Sequence, residues 1–163
     1  MLNKVISGGQ TGADIAGLKA AKDAGFRTGG YINKGFKTLD GNKPEYGKIY
    51  DLEEIKSLNY PVRTKANVIN SDATVIFATK LQSRGVALTI RLANEAKKPI
   101  FIADMSKMNT DDMIQWIKQH NVRTLNVAGN SENKSPGIEE TTYAFLNSVL
   151  NKLMALNPLG EIK

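Results

Sequence analysis

The segment Ser7-Gly8-Gly9-Gln10-Thr11-Gly12-Ala13-Asp14 places glycines and hydroxyls between a short apolar run, Val5-Ile6, and a stretch of small residues at helical spacing. Glycines let backbone N–H groups approach an anion, and the start of the following helix adds unpaired donors at the positive end of its dipole. Ser7, Gly8, Gly9, Gln10, Thr11 and Gly12 are therefore candidate phosphate contacts, with the anion expected on the amides around Gly8 to Gly12. The segment is not a Walker loop, because Gly-Lys-Ser/Thr is missing. It also departs from the dinucleotide fingerprint: Ser7 stands at the first glycine, and no acid ends the second strand. A tight turn without a ligand is the alternative. Asp14, one position from the glycine loop, suits a turn cap, a magnesium ligand or a residue that positions water.

Two more loops of the same kind follow. Leu81-Gln82-Ser83-Arg84-Gly85 leads into Val86-Ala87-Leu88-Thr89 and sets Ser83, Gly85 and Thr89 at a helix start. After Val127 the chain runs Ala128-Gly129-Asn130-Ser131-Glu132-Asn133-Lys134-Ser135-Pro136-Gly137-Ile138. Ligands of open α/β sheets bind beyond the carboxyl ends of strands, where such loops converge. In Tyr60-Pro61-Val62-Arg63-Thr64-Lys65-Ala66-Asn67, proline marks a first helical turn, so Arg63 and Asn67 share a face, as do Asn67 and Ser71. A forked guanidinium beside an amide suits phosphate or ring-edge recognition, and solvent-exposed pairs at this spacing are also common.

Crossover units on a mostly parallel sheet would position these loops. Short apolar runs alternate with amphipathic stretches of helix length, an α/β pattern with helices on both faces of the sheet. Thr74 to Ala78 and Pro99 to Ala103 read as buried strands, and Thr124 to Ala128 as another. Ala13, Ala16, Gly17, Ala20, Ala21 and Ala24 give one helix a face that can approach a sheet closely, and Gly25 stops it. Val86, Leu88, Ile90, Leu92, Ala93 and Ala96 line a second. Asp111 to His120 reads as a third, capped by Asn109 or Thr110. A last helix follows Pro136-Gly137 through Tyr143, Leu146, Val149, Leu150 and Leu153. Residues 33 to 60 lack periodicity and read as a long loop with one short helix at Leu52 to Leu58. The expected organisation is one domain over 1–155 and a loose tail over 156–163.

Composition narrows the function. The 163 residues are 41% hydrophobic and 23% charged, values of a globular domain. There is no cysteine, so disulfides, iron–sulfur clusters, thiolate zinc sites and a thiol nucleophile are excluded, and a cytoplasmic location is expected. No apolar run approaches the ~18 residues of a membrane span. The net charge of +6 is scattered, without the basic stripe and stacking aromatics of a polynucleotide binder. His120 is the sole histidine, so no histidine cluster or Ser-His-Asp triad can form within one chain, and no metal site is read. It reads as a helix C-terminal residue, and Trp116 as core packing with Met113 and Ile117.

The three loops, taken with Arg63, Asn67 and Asn70-Ser71-Asp72-Ala73-Thr74, resemble a family of molybdenum-cofactor carrier-like proteins. That family is a circularly permuted branch of the SLOG superfamily, which includes lysine-decarboxylase-like nucleotide phosphoribohydrolases. The resemblance runs from SGGQTGAD through GGYINKG at 29–35 to NVAG and SPGI. It implies a Rossmann-like sheet, a homo-oligomer, and a pterin-type or nucleotide-like ligand such as the molybdenum cofactor, with Lys34, Gly35 and Gly129 among the contacts. The final helix, with Phe145, Leu146, Val149 and Leu153, is a candidate oligomer surface. Where the family commonly has an arginine after GAD and a proline before Lys-Gly, this chain has Ile15 and Asn33. It also lacks the Arg-Glu-Ser that tends to follow NVAG.

Two functions follow. The first is a binding or carrier protein for a small phosphorylated ligand, with no catalysis required. The second is a nucleotide phosphoribohydrolase-like enzyme that cleaves an N-glycosidic bond, which needs a carboxylate to stabilise an oxocarbenium ion or activate water. The related enzymes carry Pro-Gly-Gly-x-Gly-Thr followed by glutamate. The nearest segment here, Ser83 to Thr89, has no acid, which favours binding.

Overall fold

The computed structural model describes residues 1–157; of the expected tail, 158–163 lie outside the described residues, and the last helix runs to Leu156. Six strands make the main sheet: β1 (Lys4–Ile6), β2 (Arg27–Ile32), β5 (Leu52–Glu54), β6 (Ala73–Phe77), β7 (Ile100–Ala103) and β8 (Thr124–Gly129). Their order is β5-β2-β1-β8-β6-β7, and every neighbouring pair is parallel. Helices α1 (Ala13–Asp23), α5 (Thr110–Gln119) and α6 (Ile138–Leu156) cover one face, and α3 (Tyr60–Ile69) and α4 (Arg84–Glu95) cover the other. This is a Rossmann-like α/β domain.

Side-chain alternation along the strands divides the core. In β6, Ala73, Val75 and Phe77 enter the large cluster beneath α1, α5 and α6, while Ile76 packs with Ala78 and Val86 on the opposite face. The small residues of α1 serve their expected purpose at Gly17, where an added Cβ would stand 2.7 Å from the Val127 Cβ. A methyl group there would push α1 off β8.

Three expectations need correction. Residues 33 to 60 are not a long loop with a helix at Leu52 to Leu58. A helical turn at Lys34–Phe36 leads to a small hairpin, β3 (Lys37–Thr38) and β4 (Gly41–Asn42), then to α2 (Glu45–Tyr50) and to β5. Leu52 pairs with Gly30 and packs in a cluster with Ile15, Leu18, Ile32 and Tyr50, so a long-range partner decides its conformation. Second, Pro99 to Ala103 is not a buried strand: β7 is an edge, and Ile102 is 44% exposed. Third, Phe145, Leu146, Val149 and Leu153 are buried against the chain's own core, so they offer no surface for an oligomer.

His120 ends α5 and lies against Trp116, ring centroids 5.5 Å apart, and Trp116 in turn packs on Phe101. Asn109 caps the helix by accepting from the Asp111 amide at 2.8 Å. In α6 the Thr142 side chain is fully buried and its hydroxyl has no hydrogen-bond partner. A buried unpaired hydroxyl is a cost that an isosteric methyl removes. Thr142→Val should therefore stabilise the domain by about 1 kcal/mol, read as a higher midpoint in urea unfolding with an unchanged slope; a lower midpoint would show that the hydroxyl is served in solution.

Candidate functional site

The chain reverses its direction across the sheet between β1 and β8. From β1 it crosses to β2 and outward to β5, while β6 and β7 build the opposite half and β8 returns to the middle. Carboxyl ends of strands at such a switch point leave a crevice between loops that depart to opposite faces. Here the crevice is a cavity of about 370 Å³. It is lined by the loops after β1, β6 and β8 and by α3, and Leu39 of the small hairpin reaches it as well.

Side-chain amides fasten this wall together. Asn130 accepts from the Thr79 and Lys80 amides at 3.0 and 2.9 Å and donates to the Lys80 carbonyl and the Ser83 hydroxyl, which ties the third loop to the second. Gln10 accepts from the Thr11 and Leu39 amides at 2.9 and 2.8 Å, holding the hairpin against the first loop. Asn67 accepts from the Tyr31 amide and donates to the Tyr31 carbonyl, both at 2.9 Å, and so clamps α3 onto β2. Its amide is committed to the fold, although it borders the cavity. Asn130, Gln10 and Asn67 thus shape the site from within.

The first loop makes hydrogen bonds of its own. Several of its amides have acceptors: Gly9 donates to the Ser7 hydroxyl, Thr11 to Gln10, Ala13 to the Asn130 carbonyl, and Gln10 to the Asp14 carboxylate at 3.4 Å, while the Gly12 and Asp14 amides have none among the described residues. Asp14 lies in the first turn of α1, where the helix dipole favours a negative group. Burial pushes the Asp14 pKa up, opposed by the Arg63 guanidinium and by amide hydrogen bonds from Gln10 and Gly8.

Arg63 is nearly buried, its side chain 13% exposed. Its Nη1 lies 3.6 Å from the Asp14 Oδ2 and donates to the Gly8 carbonyl at 3.3 Å, while its Nε is buried without a partner. The guanidinium also stacks over the Tyr60 ring, 5.2 Å from its centroid.

The second loop is open. Ser83 caps α4, its hydroxyl accepting from the Val86 amide, and the Arg84 and Gly85 amides of the first turn have no acceptor among the described residues. A Cβ at Gly85 would meet nothing within 4 Å, and Lys134 of the third loop borders the same cavity.

Of the residues singled out in the sequence, Gly8, Gln10, Asp14, Arg63, Asn67, Ser83, Gly85, Thr89 and Gly129 line the cavity. Ser7, Gly9, Thr11 and Gly12 support the loop from behind. Lys34 and Gly35 stand elsewhere, in the turn after β2, with the Gly35 amide bound to Glu54. Lys134, Asn130, Tyr60 and Leu39 were not singled out as contacts. Only the wording of the third loop pointed toward the first two. Among the described residues no group of three or more His, Cys, Asp or Glu could hold a metal ion, and no helix is long and apolar enough to cross a membrane.

An open parallel sheet with a cavity at its switch point defines a Rossmann-like domain. The chain belongs to the circularly permutated YpsA SLOG family, whose model matches residues 5–150. A crystal structure from Syntrophus aciditrophicus SB, described as a "putative molybdenum carrier protein", is 35% identical, with a TM-score of 0.82 over 91% of this chain and 94% of that one. No curated protein matches the chain.

The Asp14–Arg63 pair leads to a prediction about stability. Arg63→Ala leaves a buried carboxylate without its counter-charge, a change that costs about 3 kcal/mol in buried pairs. Asp14 has a raised pKa in the fold, so its contribution is present below its unfolded pKa and is lost as pH rises through the folded value. The deficit of Arg63→Ala should be largest at neutral pH and shrink on acidification, and Asp14→Asn/Arg63→Ala should recover part of it at pH 7. Urea titrations across pH 4 to 8 measure this; a pH-independent deficit would remove the ion pair from the account.

Proposed function

We propose that this protein is a carrier or binding protein for a small phosphorylated ligand of the pterin or nucleotide type, held in the switch-point cavity with its phosphate at the start of α4. The observation that carries this reading is the unequal state of the two helix starts. The α1 start, whose Gly12 and Asp14 amides also lack acceptors, carries the Asp14 carboxylate in its first turn, whereas the α4 start has the free Arg84 and Gly85 amides, no carboxylate in its first turn, an open approach at Gly85 and Lys134 nearby. Free first-turn amides and a lysine together bind phosphate by charge-assisted hydrogen bonds. The apolar wall of Leu39, Tyr60, Pro61 and Leu88 suits the flat ring of such a ligand. The description of the similar crystal structure as a "putative molybdenum carrier protein" supports the carrier part of this reading.

Calorimetric titration with a nucleoside 5′-monophosphate and with inorganic pyrophosphate tests the reading. Lys134→Ala should weaken both by about tenfold, equivalent to ~1.4 kcal/mol, and more at low salt than at high salt. Gly85→Glu should abolish binding and leave the unfolding midpoint unchanged, because its side chain enters open space. Full affinity in Gly85→Glu would move the phosphate away from α4.

N-glycosidic hydrolysis is the second reading, favoured by Asp14. It is a buried carboxylate with a raised pKa in the cavity, the kind of acid that the second loop lacks. Release of free base from a nucleoside monophosphate, lost in Asp14→Asn, would establish the enzyme; intact nucleotide after prolonged incubation leaves the carrier.

A further inference from the structure

We propose that Asn126 is a ligand-contact residue: its side-chain amide, set in place by Thr74, makes a hydrogen bond at the floor of the cavity to an uncharged polar group of the ligand, a sugar hydroxyl or an edge atom of the ring. This rests on the reading that the phosphate lies at the start of α4.

The sheet places the residue. In the parallel register Asn126 stands between Ile6 and Thr74, and the next pair on the same face, Ile76 and Ala128, packs with Val86 of α4. Asn126 and Thr74 therefore face α3 and α4, whereas Leu125 and Val127 enter the opposite cluster. Between those two helices the cavity reaches down to the sheet. It is bordered on α3 from Tyr60 to Asn67, on α4 from Arg84 to Thr89, and by Asn126 itself.

An asparagine inside a central strand is costly unless its amide is served. Asn126 is 3% exposed, and its Nδ2 donates to the Thr74 hydroxyl at 3.2 Å. Its Oδ1 has no partner among the described residues. Because a hydroxyl both donates and accepts, Thr74 serves one half of the amide and leaves the other for the cavity, whichever way round the amide stands. The other polar side chains at this depth are engaged: Asn67 has both amide atoms on Tyr31, and the Thr89 hydroxyl donates to the Gly85 carbonyl. A ligand that reaches the floor takes the bond that Asn126 has left.

Depth sets which part of the ligand this is. Thr89 lies four residues beyond Gly85, so the floor is about 6 Å past the α4 start at ~1.5 Å per residue. A phosphate on the α4 amides ends short of it, and the atoms that arrive belong to the uncharged part of the ligand. Asn126 carries no charge and acts through one hydrogen bond, with no pull on the anion.

Calorimetry with a nucleoside 5′-monophosphate, ribose 5-phosphate and inorganic pyrophosphate tests this. Asn126→Ala should weaken the nucleotide about five- to tenfold, the loss of one hydrogen bond, and leave pyrophosphate unchanged. Ribose 5-phosphate weakened by the same factor assigns the contact to a sugar hydroxyl; unchanged ribose 5-phosphate assigns it to the ring. Thr74→Val should weaken the nucleotide by about threefold and add nothing on top of Asn126→Ala, because it acts through that side chain. In the wild-type protein the Asn126 side-chain amide resonances should shift in a saturable way with the nucleotide and stay in place with pyrophosphate, a readout independent of any variant's folding. Unchanged nucleotide affinity in Asn126→Ala, an equal loss of pyrophosphate affinity, or a side-chain amide unmoved by bound nucleotide would overturn the contact and leave the proposed function standing. If neither nucleotide nor pyrophosphate binds, both fall.

Discussion

At the first turn of α1, beside the glycine loop, the Asp14 carboxylate is buried and accepts from the Gln10 amide. Three consequences follow from that single placement. The first loop folds on itself, several of its amides bound to Ser7, Gln10, Asp14 and the third loop. A cation must lie beside the carboxylate, which draws Arg63 down from α3 into the wall. An anionic ligand entering the cavity then meets a negative group at α1 and free donors at α4, so the cavity acquires a direction.

The sheet makes this possible. Because β1 and β8 are neighbours while α1 and α4 lie on opposite faces, the two helix starts border one crevice. The loops are then fixed by amides rather than by metal or disulfide. Asn130 holds the second loop to the third, Gln10 holds the hairpin, and Asn67 holds α3 to β2. These amide bonds hold the loops in place within the fold.

The α/β class, the three loops and their convergence were legible in the sequence because each follows from local pattern: apolar runs, glycines at strand ends, proline at a helix start. The misread parts depend on distant partners. β2 reads Arg-Thr-Gly-Gly-Tyr-Ile, poor strand material by propensity. Gly30 is needed there at φ 128°, because a Cβ would collide with the Ser7 carbonyl. Leu52 joins a strand only because β2 offers it an edge, and Ile102 lies at an edge that periodicity cannot reveal. Spacing placed Arg63 and Asn67 on one face of α3 correctly. It could not show that this face presses on Tyr31 and Gly8, which consumes the Asn67 amide and buries the guanidinium. Likewise, glycine and a helix start announce an anion site at both α1 and α4, and only the fold brings the Asp14 carboxylate against the first loop and Arg63 beside it.

The direct test of the proposed anion position at α4 is an amide NMR titration of the protein with inorganic pyrophosphate, which carries the anionic charge and no ring. The account predicts that the Arg84, Gly85 and Lys134 amides shift in a saturable way while Gly9, Thr11 and Ala13, already bound within the fold, stay in place. Saturable shifts at Gly9 to Ala13 with Arg84 and Gly85 unmoved would contradict it, because the anion would then sit at the start of α1.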